Sequence, residues 1–109
     1  MAANTIVEYV DKHGRSAFGA WFATLDARAA ARITTALYRM EQGNLSNAKS
    51  VGKGVFEYKL HFGPGYRIYF GQDGDTLVLL LNGGTKKRQS NDIEQAWALW
   101  NEYKRRKQK

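Results

Sequence analysis

The residues best suited to chemistry lie between Val55 and Arg88, in the runs VFEYKLHF and YRIYF and in the basic cluster TKKR. In the first run, alternation sends Phe56, Tyr58, Leu60 and Phe62 to one side of a strand and Glu57, Lys59 and His61 to the other. In the second, Tyr66, Ile68 and Phe70 share one side, and Arg67 and Tyr69 the other. Between them Gly63-Pro64-Gly65 fits a turn with proline at its first central position and glycine at its second, where a positive φ is needed, so the runs should pair as an antiparallel hairpin. If the polar sides coincide, Glu57, Lys59, His61, Arg67 and Tyr69 gather on one patch, and Lys86, Lys87 and Arg88 follow the next strand. An arginine clamps phosphate with a planar fork of donors, a lysine adds charge or moves a proton, and a histidine or carboxylate serves as acid or base. The pattern predicts a phosphate-binding surface. Two members have plain readings as well: His61 as a solvated residue beside a turn, and Glu57 as a partner within the sheet for Lys59 or Arg67.

Composition narrows what such a surface meets. The 109 residues predict one domain with a single core, and 43% hydrophobic content with 5 Phe, 3 Trp and 6 Tyr excludes a disordered chain. A formal charge of +7 favours a polyanionic partner, although the tail Lys104, Arg105, Arg106, Lys107 and Lys109 supplies five of those charges. That tail reads as a solvated helix end or as a supplementary RNA contact. The absence of cysteine excludes disulfides, thiolate metal sites and a cysteine nucleophile, and makes a reducing compartment the default. His13 and His61 show no ligand spacing, so neither a metal nor another cofactor is expected. No apolar run approaches the roughly 20 residues that span a bilayer, and the expectation is a cytoplasmic protein without a membrane partner.

The elements that must position the patch follow from the remaining patterning. Thr5 to Val10 alternates as a short first strand, closed by a turn at Lys12-His13-Gly14. Ser16 caps a helix whose buried side carries Phe18, Trp21, Phe22 and Leu25. Asp26 starts a second helix with the stripe Ile33, Leu37 and Met40, with Arg28, Arg32 and Arg39 toward solvent or ribosomal RNA, and Gly43 at its end. Asn44 to Lys53 reads as a polar connection before the hairpin. Thr76 to Asn82 is apolar on both sides, like a strand covered on both faces, and Gly83-Gly84 frees the chain to leave the sheet. Asn91 and Glu94 have the form of a capping box for a last helix with Ile93, Ala96, Trp97, Trp100 and Tyr103 buried. The helical spacing of the tryptophans marks them as core rather than as base-stacking platforms. The predicted class is α+β: a helical hairpin packed on a twisted, mainly antiparallel sheet, then a C-terminal helix, in the order β-α-α-β-β-β-α over residues 1–109.

This order, the Gly14-Arg15-Ser16-x-Phe18 stretch, the EYKLHFGPGYRIYF hairpin and the LLLNGGTKKRQSNDIEQA segment resemble the RelE/ParE toxin superfamily. Within it the chain is most similar to the HigB-like, phage-derived Gp49-like addiction module killer proteins. The resemblance implies a RelE-like fold and a toxin of a type II toxin-antitoxin pair, neutralised by a cognate antitoxin, expected to be a helix-turn-helix protein, in an oligomeric complex. Many such toxins are endoribonucleases that cut messenger RNA on the ribosome without a metal; the ParE branch inhibits DNA gyrase instead, and a decayed toxin keeps only antitoxin binding. In the family's pattern the arginine after Gly-Tyr, here Arg67, stabilises the transition state. Lys59 matches the basic position of the preceding strand if the turn here is one residue longer, and Lys87, at the end of the last strand, falls where many relatives place a functional basic residue, with Lys86 and Arg88 close enough to be confused with it. Glu57 corresponds to a general base in some relatives. The tyrosine that some ribonuclease relatives carry near the start of the final helix is Ile93 here, and Tyr69 or His61 is left to substitute. Lys86, Arg88, Tyr69 and Lys53 complete the expected RNA contacts.

Overall fold

Alternation in the two central runs builds the middle of a five-stranded sheet. In the computed structural model, which describes residues 3–108, the chain runs β1 (Thr5–Glu8), α1 (Ala17–Phe22), α2 (Ala27–Glu41), β2 (Ala48–Gly52), β3 (Val55–Lys59), β4 (Arg67–Asp73), β5 (Leu77–Gly84), a single 3-10 turn at Lys86–Arg88 and α3 (Gln89–Lys107). Lys109, the last cation of the basic tail, lies outside the described residues. Strand order is β1-β5-β4-β3-β2, with β1 parallel to β5 and the other pairs antiparallel. The α+β class and the mainly antiparallel sheet are as expected.

Local chemistry starts both N-terminal helices where the sequence predicts. The Ser16 hydroxyl accepts from the Gly19 amide at 2.9 Å and the Asp26 carboxylate from the Ala29 amide at 2.8 Å, each satisfying an amide that the first turn leaves free. Gly43, at φ 90°, turns the chain out of α2. These helices cover one face of the sheet. Phe18, Ile33, Ala36 and Met40 pack there against Tyr58, Ile68, Phe70, Val78 and Leu80, with Phe22, Leu37, Phe56 and Leu60 at the margin. Helix α3 seals the other face, where Ala96 and Trp100 meet Val55, Tyr69, Leu79 and Leu81. The β5 strand is thus buried on both sides, as its unbroken apolar run requires.

Three expectations need correction. The segment read as a polar connection contains β2, an edge strand paired to β3; its side chains are mostly exposed, so it carries no apolar alternation. Helix α3 begins at Gln89, with no side-chain cap, because the 3-10 turn leads into it directly; Asn91 and Glu94 already lie within the helix. Gly83 and Gly84 remain in β5, where the absence of side chains is a packing requirement. A Cβ on Gly83 would run into the Trp21 ring on one face, and one on Gly84 into the Asp92 carboxylate on the other.

Candidate functional site

Register brings the key cations together. Lys59 lies directly opposite Arg67, and Glu57 opposite Tyr69, so all four side chains share the sheet face covered by α3. The hairpin forms as expected, but its strands stop at Lys59 and Arg67, leaving Leu60 to Tyr66 as the connecting loop. Gly65 adopts φ 79°, the positive value anticipated for the turn. The Lys86 amide donates to the Pro64 carbonyl at 3.3 Å, which ties the 3-10 turn to this loop. An open cleft of about 520 Å³ results, lined by Lys59, His61, Pro64, Gly65, Arg67 and Lys86 among others.

Arg67 is held from several sides. Only 2% of it is exposed, although the alternation put it on a polar surface patch, because the Gly65 loop and the turn that leads into α3 close over this end of the sheet. Its Nη1 donates to the Gly65 carbonyl at 2.7 Å, and its Nε sits 3.4 Å from Glu57 Oε2, close enough for an ion pair but not aligned for a hydrogen bond. The same Glu57 oxygen accepts from Gln89 Nε2 at 2.7 Å and from the Tyr69 hydroxyl at 3.3 Å. A buried guanidinium with a carboxylate partner keeps its orientation, whereas a solvated one samples many rotamers. Nη2, like Nε, makes no hydrogen bond among the described residues.

The remaining predicted residues divide by position. His61 is exposed on the loop and lines the cleft; Lys59 is half-buried there. Of the basic cluster, Lys86 lines the cleft, while Lys87 and Arg88 are exposed on the 3-10 turn rather than at the end of a strand. Tyr69 is fully buried, and burial with the Glu57 charge beside it pushes its hydroxyl well above the ordinary tyrosine range, so it is a neutral donor inside the sheet-helix layer and not a surface contact for RNA. Lys53 occupies the turn before β3, at the end of that strand away from Lys59, with its ammonium 4.3 Å from the centre of the Trp97 ring. It does not join the cleft.

Sequence reasoning missed the groups that α3 brings from the far side. Gln89 fixes Glu57, and Asn82 is buried with its amide donating to the Asp92 carbonyl at 3.0 Å and to Gln95 Oε1 at 2.9 Å. Asp92 is 8% exposed with Oδ2 unpaired, and desolvation raises its carboxyl above the ordinary value, opposed by the charge of Arg88. The one available signal was Asn82, a polar residue closing the apolar run of β5. Nothing in its neighbours said which residues it would meet.

Comparison with known proteins places the chain in a family. The phage derived protein Gp49-like family matches residues 20–98. A protein of Haemophilus influenzae Rd, named only as uncharacterized, is 41% identical over 83 residues, covering 75% of this chain and 84% of its own length.

Proposed function

The chain belongs to the phage-derived Gp49-like family, an addiction-module killer family of RelE/HigB type, and from this premise we propose that it is the toxin of a toxin-antitoxin pair and cleaves messenger RNA on the ribosome. The observation that carries the reading is Arg67: anchored by Gly65 and Glu57, facing Lys59 across the hairpin, in a cleft that Lys86 and His61 complete. In the reaction the 2′-OH attacks the adjacent phosphorus and loses its proton while the bond to the 5′ oxygen breaks and that oxygen is protonated, leaving a 2′,3′-cyclic phosphate. Arg67 Nη2, Lys59 and Lys86 neutralise the phosphorane, and His61 and Lys59 are the cleft's proton-transfer groups. Glu57, buried, hydrogen-bonded to Gln89 and Tyr69 and ion-paired with Arg67, orients the guanidinium in this scheme. The antitoxin partner follows from the addiction-module family; a helix-turn-helix antitoxin is the form proposed for it.

Burial of Arg67 shapes the test. Arg67→Ala removes a buried charge as well as a catalytic one, so Arg67→Lys and Lys59→Ala serve as companions, with melting curves recorded for each. Primer extension on translating ribosomes should show cuts within codons for the wild type. Loss of one stabilising interaction lowers the rate by about 10²–10³, and all three variants should show it. If the wild type cuts no message and instead blocks gyrase supercoiling, with Arg67→Lys equally potent, the ribonuclease reading is wrong.

A further inference from the structure

We propose that a second cleft, between α2 and the end of β3, binds the phosphodiesters that flank the cleaved one, so that single-stranded RNA passes from Arg39 and Arg32 across the Lys59–Phe62 segment to Arg67. The inference rests on the ribonuclease reading for the identity of the polymer. The cleft has a volume of about 390 Å³ and is lined by Arg32, Thr35, Arg39, Asn47, Lys59 and His61, with apolar side chains at its base. Lys59, Leu60, His61 and Phe62 form a wall common to this cleft and to the one that holds Arg67. No carboxylate lines either of them.

Three features separate the two arginines from an ordinary solvated helix face. They lie seven residues apart on α2, two turns and about 10 Å along one side, so both point into the same groove. Their exposed positions carry no ion pair among the described residues, whose ion pairs involve other side chains. The Arg32 guanidinium lies 4.3 Å from the centre of the Phe62 ring. Stacking on a ring holds a guanidinium by its face and leaves its in-plane N–H groups free for an anion. A ligand serving both clefts at once must carry negative charge at regular intervals along a flexible chain. The phosphodiester backbone of single-stranded RNA meets that requirement, and Arg67 already requires a phosphate at one end.

Fluorescence anisotropy with 2′-O-methyl oligouridines, which cannot be cleaved, tests the path directly. The wild type should bind a dodecanucleotide more tightly than a trinucleotide. Arg32→Gln combined with Arg39→Gln should weaken the dodecanucleotide about tenfold or more, leave the trinucleotide unchanged, and lower the slope of log K against log salt by about 1.4, or 0.7 for each lost contact on a single strand. Arg28→Gln, a charge removed from the same helix outside the cleft, should change neither, and unaltered melting of all variants confirms the fold. Equal binding of the dodecanucleotide by wild type and double variant overturns the proposal, as does an equal loss in Arg28→Gln. If the double variant keeps full affinity while the wild type still cuts ribosomal message, the second cleft alone is refuted; if the double variant loses affinity although the wild type cuts nothing, the cleft stands and the ribonuclease reading falls. A glutamate dodecapeptide that binds the cleft where the RNA does not would assign it to a protein partner and overturn the proposal.

Discussion

The two faces of the sheet are sealed by helices in different ways. Under α1 and α2 the contact is apolar except for Asn4, whose buried amide donates to the Met40 carbonyl at 2.8 Å, and Ile33, Met40 and Ile68 are fully buried. Under α3 an apolar half, centred on Trp100 and Leu79, continues into a layer containing Glu57, Arg67, Asn82 and Asp92. Every buried side-chain atom without a hydrogen-bond partner among the described residues, Glu57 Oε1, Arg67 Nε, Asn82 Oδ1 and Asp92 Oδ2, belongs to this second layer. Such atoms cost stability, and proteins concentrate them where function needs a preset charge. One face stabilises the fold; the other holds a guanidinium in place at some expense to it.

Breaking the polar layer should have the largest effect. Glu57→Ala leaves Arg67 buried without its carboxylate, and removing one partner of a buried pair costs roughly 3–5 kcal/mol; chemical denaturation should show that loss, and the variant's activity should fall further than its folded fraction. Replacing both partners at once, Glu57→Leu with Arg67→Met, should restore most of the stability while abolishing cleavage, which separates the ion pair's structural role from its chemical one. On the apolar face, Ile33→Ala should cost about 2–5 kcal/mol through the cavity it leaves, yet keep full activity per folded molecule. A fall in specific activity for Ile33→Ala would show that the faces are not independent. Gly83→Ala, which presses on the Trp21 ring, should cost about 1–3 kcal/mol and likewise spare the cleft.

The smallest effect sharpens the comparison through pH. Asp92 has a native carboxyl pKa raised by burial, so the folded state holds its proton longer than the unfolded state does. Stability therefore declines as pH rises from the unfolded value through the raised native one. Asp92→Asn should remove that decline, raising Tm slightly near neutrality and not in acid, by less than about 1 kcal/mol once solvent screening is allowed for. A variant less stable than wild type at neutral pH would mean that the first turn of α3 needs the negative charge more than the layer resists it.

Local patterns were legible in proportion to how local their causes are. The alternation around Tyr58 and Ile68, the α2 stripe and the Ser16 and Asp26 caps each depend on residues a few positions apart, and each appears as expected. The edge strand β2 was not legible, because its hydrogen bonds to β3 are backbone bonds and its exposed side chains need no pattern. The start of α3 was misplaced because Asn91 and Glu94 imitate a cap that the preceding 3-10 turn makes unnecessary. For the site, the shared face of Lys59 and Arg67 followed from period and register. The burial of Arg67 and Tyr69 did not, since it depends on where a later helix, beginning at Gln89, comes to rest, and Gln89 carries no mark of its bond to Glu57.

The pairing of β1 with β5 and of Tyr9 with the last helix has a consequence for how the molecule comes into being. Thr5 pairs with Leu77, the Tyr9 hydroxyl donates to Glu102, and Arg106 donates to Tyr9 and to the Val10 carbonyl at 2.9 Å. Contacts between opposite ends of a chain close large loops, and loop entropy makes them late steps. During synthesis β3 and β4 emerge well before α3, so the cations exist on the nascent hairpin before Gln89 is there to steady Glu57. The first strand must wait, unpaired, for β5. Enclosure of Glu57 and Arg67 is therefore a step separate from formation of the hairpin that carries them, and it waits on contacts that close long loops.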